Sequence, residues 1–107
     1  MRLEQAGCEV LMTRAYGAGL SAARLEAARV EVGVSRGGER MRLNKTGAHK
    51  SFKNLLQAST IPPWQRAFLP LVWCDGQLVW ASGIGYDVDF LASPNEVGIV
   101  PVKQWLK

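Results

Sequence analysis

The chain has one histidine, His49, flanked by Gly47, Ala48 and Lys50. A catalytic imidazole needs an orienting partner and a nucleophile to serve, and the neighbouring sequence supplies neither. His49 is therefore read as a solvent-facing or phosphate-contacting residue near the start of a helix. Asp87 and Asp89 stand two apart in a Val-containing loop. A hard cation usually takes more oxygen ligands than this pair offers, so both are read as solvated loop acids. Cys8 and Cys74 lie far apart and form no Cys-x-x-Cys. With a single histidine there is no zinc ligand set and no disulfide framework. Both cysteines are read as reduced, packed thiols.

Two glycine patterns resemble phosphate-holding loops. Gly83-Ile-Gly85 lacks the third glycine and the helix of a dinucleotide fingerprint. Neither Ser35-Arg-Gly-Gly nor Ser82-Gly-Ile-Gly ends in the Lys-Ser/Thr of a P-loop. The expectation is a chain with no catalytic residues, no metal and no cofactor of its own.

What remains is charge. Residues Arg36 to Arg66 hold seven of the thirteen Lys and Arg residues and one acid, Glu39, for a net +6. Residues 1–35 sum to zero and residues 67–107 to −2. Lys and Arg bind a phosphate backbone with salt-dependent affinity, and arginine adds a planar bidentate fork. The candidate phosphate contacts are Arg36, Arg40, Arg42, Lys45, His49, Lys50, Lys53 and Arg66. On charge alone, nucleic-acid binding competes with a solvated basic face that binds nothing specific.

The elements that must position these residues follow from the pattern. Glu9 to Tyr16 reads as a strand, and Ser21 to Ala28 as about two helical turns with Ser21 as N-cap. Val30, Val32 and Val34 alternate with Glu31, Gly33 and Ser35, which predicts a strand with one apolar face. The paired glycines after Arg36 turn the chain. Met41 and Leu43 then alternate with Arg40 and Arg42 as a short return strand, arginines on one face. His49 to Ser59 reads as a helix burying Phe52, Leu55 and Leu56 and presenting Lys50 and Lys53. Thr60-Ile-Pro-Pro63 ends it, and Pro63 can start a further turn of helix. Asp75-Gly76 between Leu71–Cys74 and Gln77–Ser82 predicts a type I′ hairpin, apolar on both faces. Asp87 to Glu96 reads as a polar loop. Gly98 to Val102 is a last strand, held to an edge by Pro101.

The fold class is thus α+β, mostly antiparallel sheet with one main helix. The length of 107 residues points to a single domain, residues 1–107. A chain of this size buries roughly 65% of its extended surface. Apolar residues make up 48% and charged residues 21%, the balance of an ordinary globular domain. No apolar run approaches the ~20 residues that span a bilayer. The start has no long apolar h-region, so a cytoplasmic location is the default.

The same residues resemble a known family. Gly37-Gly38-Glu39-Arg40-x-Arg42, Lys50-Ser-Phe-Lys53-Asn-Leu-Leu56, Ile61-Pro62-Pro63-Trp64-x-Arg66 and Leu69-Pro70-Leu71-Val72 occur in the order and spacing of the C-terminal domain of tRNA(Ile)-lysidine synthetase. A Gly-Ile follows the hairpin, and Gly17-Ala-Gly19-Leu20 resembles the lead-in segment. The resemblance covers residues 30–86. It implies a fold like one in the phenylalanyl-tRNA synthetase β chain, a sheet sandwich with helices. In that family the enzyme is an ATP-dependent ligase. It attaches lysine to the wobble cytidine of a minor isoleucine tRNA and so converts AUG reading to AUA reading. The Ser-Gly-Gly-x-Asp-Ser loop that holds ATP in its N-terminal catalytic domain does not occur in this chain. The resemblance therefore implies an accessory domain that engages the tRNA acceptor stem. ATP and lysine would be substrates of the missing catalytic domain, itself an expected partner.

Trp64 has two readings, stacking on an unpaired base or packing as a corner beside Phe68 and Leu69, and the packed corner is favoured. Trp73 and Trp80 are expected to pack in the hairpin. Trp105 is left open. The alternative function is a protein-interaction domain. It would dock on its catalytic domain or on a second copy through the apolar hairpin and the edge around Val97 to Val102. An independent enzyme has no acid, base and nucleophile set to support it.

Overall fold

A hairpin at the centre of the molecule organises everything around it. In the computed structural model, which describes residues 2–3 and 6–105, β7 (Leu71–Cys74) and β8 (Gln77–Ala81) pair antiparallel. Asp75 and Gly76 join them with φ of 50° and 82°. Positive φ at both central residues is the type I′ requirement, which Asp-Gly meets at low cost. Every residue of β7, and all of β8 except Gln77, is buried.

The other elements, in chain order, are β1 (Arg2–Leu3), β2 (Cys8–Tyr16), β3 (Leu20–Ser21), α1 (Ala22–Glu26), β4 (Val30–Gly33), β5 (Arg40–Met41), β6 (Lys50–Ser51), α2 (Phe52–Gln57), α3 (Pro63–Arg66), β9 (Gly85–Tyr86), a 3-10 turn (Val88–Phe90) and β10 (Val97–Trp105). One sheet runs β4-β7-β8-β9, a second β1-β2-β10-β3, and β5 pairs only with β6. All the strand pairs are antiparallel. The α+β, mostly antiparallel expectation holds.

The central hairpin has a different cover on each face. Leu71, Trp73, Leu78 and Ala81 pack with Met41, Phe52, Leu55 and Leu69. Val72, Cys74, Val79 and Trp80 pack with Val10, Leu20 and Leu25. The sheet β4-β7-β8-β9 is therefore a middle layer. The second sheet and α1 cover one side, and the basic segment, folded as β5, β6 and α2, covers the other. Two-sided burial explains the near-continuous apolar runs of the hairpin. It also removes the hairpin from the docking surfaces expected of it.

Several expected elements change. Lys50 and Ser51 belong to a strand, and the helix begins only at Phe52. Ser51 is its N-cap: the hydroxyl accepts from Asn54 N–H at 3.2 Å, and capping requires an extended backbone at that residue. The Phe52 N–H is taken by the Glu39 carbonyl at 2.8 Å. The helix ends at Gln57, before the prolines, where Ser59 Oγ donates back to the Leu56 carbonyl at 2.6 Å. Local hydroxyl bonds of this kind compete with helix continuation. Ser21 caps α1 as expected, accepting from Arg24 N–H at 3.4 Å, and α3 starts at Pro63 as expected.

Strand β5 does not return onto β4. The Glu39 carboxylate accepts from Ser35 Oγ and from Arg36 N–H, which closes residues 35–39 into a loop of their own. Its exit sends Arg40 and Met41 toward Ser51 and Lys50 instead. Strand β10 runs on to Trp105, pairing with β2 from Val97↔Tyr16 to Trp105↔Cys8. Pro101 sits beyond Ile99, the last residue paired with β3, so its missing N–H breaks no bond on that side.

Candidate nucleic-acid interface

The basic segment is a flap pinned to the middle sheet, and its arginines do the pinning. Arg42 is the centre of this. Its backbone N–H donates to Asp87 Oδ2 at 3.2 Å and its carbonyl accepts from Val88 N–H at 2.9 Å. Its guanidinium pairs with the Asp89 carboxylate through Nη2 and donates from Nη1 to the Lys45 carbonyl at 2.7 Å. The side chain is only 24% exposed, and its Nε is buried without a partner.

Arg40 is exposed and donates from Nη2 to the His49 carbonyl at 3.0 Å. Arg66 donates from Nε to the Ile61 carbonyl at 3.0 Å, which closes the Pro-Pro turn. Arg36 pairs with Glu31 at 3.0 Å and its guanidinium lies over the Trp73 ring, 4.4 Å from the centroid. Each guanidinium holds a carbonyl or a carboxylate of the protein itself. The planar multi-donor fork suits such bracing better than an ammonium does.

The lysines differ. Lys45, Lys50 and Lys53 are exposed, and among the described residues none has an ion-pair partner. Lys45 lies in the loop that Arg42 holds, Lys50 on β6 and Lys53 on the first turn of α2. The flap thus presents three exposed point charges on an arginine-braced base.

His49 faces two carboxylates. Its Nε2 is 3.8 Å from Asp87 Oδ2 and 3.9 Å from Asp89 Oδ2. The expectation of a solvated loop acid holds for the exposed Asp89, which pairs with Arg42, and is corrected for Asp87. Asp87 is fully buried, and its oxygens accept from Arg42 N–H and from Asp89 N–H at 3.2 and 2.9 Å. Buried carboxylates need such donors. His49, Asp87 and Asp89 are the group whose ligand atoms come within 4.8 Å of one another among the described residues. Arg42 already supplies Asp89 with a cation, and its backbone bonds to Asp87 and Val88 latch the flap to the turn.

Burial raises the Cys8 thiol above its ordinary range, against a smaller opposing effect of Lys103. Burial also raises Cys74, helped by Asp75 and opposed by Arg24. Both thiols stay protonated near neutrality and are poor nucleophiles.

The sequence profile of the family described as the TilS substrate C-terminal domain matches residues 30–105. The chain belongs to that family. The match runs past the expected limit of residue 86 and takes in β10. The chain is 39% identical over 88 residues to the tRNA(Ile)-lysidine synthase of Nitrosomonas europaea, covering 82% of this chain and 19% of that protein. It is 40% identical over 85 residues to the tRNA(Ile)-lysidine synthase of Azoarcus sp. strain BH72, covering 79% of this chain and 19% of that protein. It therefore spans about a fifth of the length of these relatives. A solved crystal structure of a TilS C-terminal domain superposes with a TM-score of 0.70 at 22% identity, over 95% of this chain and 87% of that one. The fold is the same.

In this TilS C-terminal domain, sequence reasoning missed the acids that hold the flap. Glu31, Glu39, Asp87 and Asp89 each fix an arginine side chain or backbone. Glu39 is a local signal, three residues after Arg36. Glu31 lies five residues before Arg36, whereas Asp87 and Asp89 reach Arg42 from 45 and 47 positions away. Trp64 is a second correction: it is 76% exposed and does not pack as a corner. Trp73 and Trp80 are buried as expected, and Trp105 is exposed. No helix among the described residues is long and apolar enough to cross a membrane.

Proposed function

We propose that this domain is the tRNA-engaging accessory part of an ATP-dependent tRNA(Ile)-lysidine synthase, and that its basic flap contacts the acceptor stem. The observation that carries this reading is the division of labour in the flap. The arginines are spent on internal bracing, while Lys45, Lys50 and Lys53 stand exposed with no ion-pair partner among the described residues. An acceptor stem is A-form RNA, contacted mainly through phosphates and 2′-hydroxyls. Exposed ammonium groups on a firm base suit a backbone target with no base to read. Membership of the TilS substrate C-terminal domain family supports tRNA as the partner. Ligation itself belongs to a catalytic domain outside this chain, with ATP and lysine bound there.

The test is a titration of isoleucine tRNA against this chain at several salt concentrations. Binding is expected to weaken steeply with salt, and Lys50→Glu with Lys53→Glu is expected to weaken it further. Equal affinity of that double variant and the parent at low salt would refute the assignment of the flap. The chain alone, given ATP, lysine and tRNA, is expected to form no lysidine.

A second reading, docking on the catalytic domain or on another copy, is favoured by one observation. Beyond Ile99, β10 has a strand partner on one side only among the described residues. Sedimentation of a strictly monomeric chain at high concentration would remove self-pairing.

A further inference from the structure

An aromatic cleft, lined by none of Lys45, Lys50 and Lys53, lies where α3 meets the paired ends of β2 and β10. It has a volume of about 320 Å³, and Trp64, Gln65, Phe68, Cys8, Lys103 and Trp105 are among the residues lining it. Trp64, Phe68 and Trp105 are 76%, 54% and 66% exposed. Single exposed apolar residues are ordinary, but a group of three aromatics around one hollow marks a binding surface. The register Cys8↔Trp105 puts Trp105 over the buried Cys8, and α3 carries Trp64 opposite.

The charge at the cleft selects its occupant. Lys103 holds its ammonium over the Trp105 ring, 4.2 Å from the centroid, and no carboxylate is among the described lining residues. An apolar protein segment filling the cleft would desolvate that ammonium and give it no counter-charge, which is costly. A nucleotide brings an aromatic base for the rings and a phosphate for the lysine. A base inside a duplex has no free face to offer, so the base must be unpaired. The chain also leads there: α2, with Lys53, is followed directly by α3, with Trp64 and Arg66.

We infer that the Trp64–Phe68–Trp105 cleft binds an unpaired nucleotide of the RNA whose duplex lies on the lysine flap, the base stacking on the aromatic rings and the phosphate meeting Lys103. This inference rests on the RNA reading of the flap and adds a second, single-strand-specific contact to it. It makes the domain a reader of a duplex–single-strand junction.

The test compares two labelled RNA hairpins, one blunt and one with a short single-stranded 3′ overhang, by fluorescence anisotropy with the 107-residue chain. The parent is expected to bind the overhang hairpin about tenfold more tightly, the scale of one base–aromatic stack. Trp64→Ala and Trp105→Ala are expected to erase that difference and leave the blunt hairpin unaffected, while Trp64→Phe retains most of it. Trp64 is so exposed that its replacement leaves the fold intact, checked by an unchanged thermal melt. If Trp105→Ala fails to fold, the Trp64 pair decides. Equal binding of the two hairpins by the parent overturns the cleft and leaves the flap standing. So does an overhang preference that survives Trp64→Ala. Loss of self-association in Trp64→Ala, with both RNA affinities unchanged, assigns the cleft to a second copy and also overturns the inference. No binding of either hairpin overturns the flap and the cleft together.

Discussion

Arg36 lies over Trp73, its guanidinium carbon 4.4 Å from the ring centroid, while Nη2 of the same group reaches Glu31 at 3.0 Å. Trp73 is a core residue of the middle sheet and Arg36 is the first cation of the basic flap. One contact therefore joins the rim of the charged surface to the centre of the fold. Arg36→Ala is expected to cost about 1 kcal/mol, mostly through the lost cation–π contact, since the arginine end of the ion pair is more than half exposed. Its effect on RNA affinity is expected to be smaller than that of a flap lysine. Urea unfolding and an RNA titration of the same variant check both. A full loss of binding with unchanged stability would make Arg36 a phosphate ligand instead.

Lys50→Gln and Lys53→Gln remove one charge each from exposed positions, so stability is expected to change by less than about 0.5 kcal/mol. Each is expected to lower the slope of log affinity against log salt by roughly one, the signature of one lost phosphate contact. A slope that does not move would mean that these lysines are merely solvated.

Asp87→Ala leaves the Arg42 and Asp89 N–H groups without their buried acceptor. The expected loss is about 2–3 kcal/mol, the range for unsatisfied buried polar groups. Asp87→Asn keeps one acceptor oxygen and is expected to cost less. Because Arg42 is held by the same turn, hydrogen exchange of residues 40–50 is expected to speed up in Asp87→Ala. A local effect confined to residues 87–90 would show that the latch does not extend to the flap.

Burial raises Cys8 and Cys74 above the ordinary thiol value of 9.0, and raises Tyr86 above 10.0. A raised pKa in the folded state means that the unfolded chain loses its protons first. The stability these groups contribute is complete below pH 9 and is lost as pH rises through and beyond that value. Urea midpoints are expected to be flat from pH 7 to about 8.5 and to fall above 9. Alkylation of the folded chain at pH 8 is expected to be slow for both cysteines. A midpoint that rises above pH 9 would contradict this origin.

Much of the fold was legible because its signals are local. Asp75-Gly76, the Ser21 and Ser51 hydroxyls and Pro63 act on backbone torsions within a few residues. Ser51 shows the limit of such reading. It was visible as a polar residue before Phe52, yet the helical spacing of Lys50 and Lys53 suggested an earlier start. Ser51, the N-cap of α2, is held extended in β6 by its strand partner Arg40, and pairing of this kind leaves no trace in periodicity. Trp64 failed for a related reason. Aromatic residues beside prolines usually pack, and only the placement of α3 against open solvent leaves this one uncovered.

The sequence by itself determined that the chain is α+β, that its charge is concentrated between Arg36 and Arg66, and that it belongs with the TilS C-terminal domains. The first two follow from composition, torsional preference and the spacing of residues near one another; the third rests on the resemblance of its ordered motifs and the family match over residues 30–105. Only the tertiary structure decided which of those cations are held by the protein's own carboxylates, carbonyls and rings. Arg42 meets Asp89 across forty-seven positions, and Arg36 meets Trp73 through the pairing of β4 with β7. A charge is neutralised by what lies near it in space, and long-range strand pairing sets that distance.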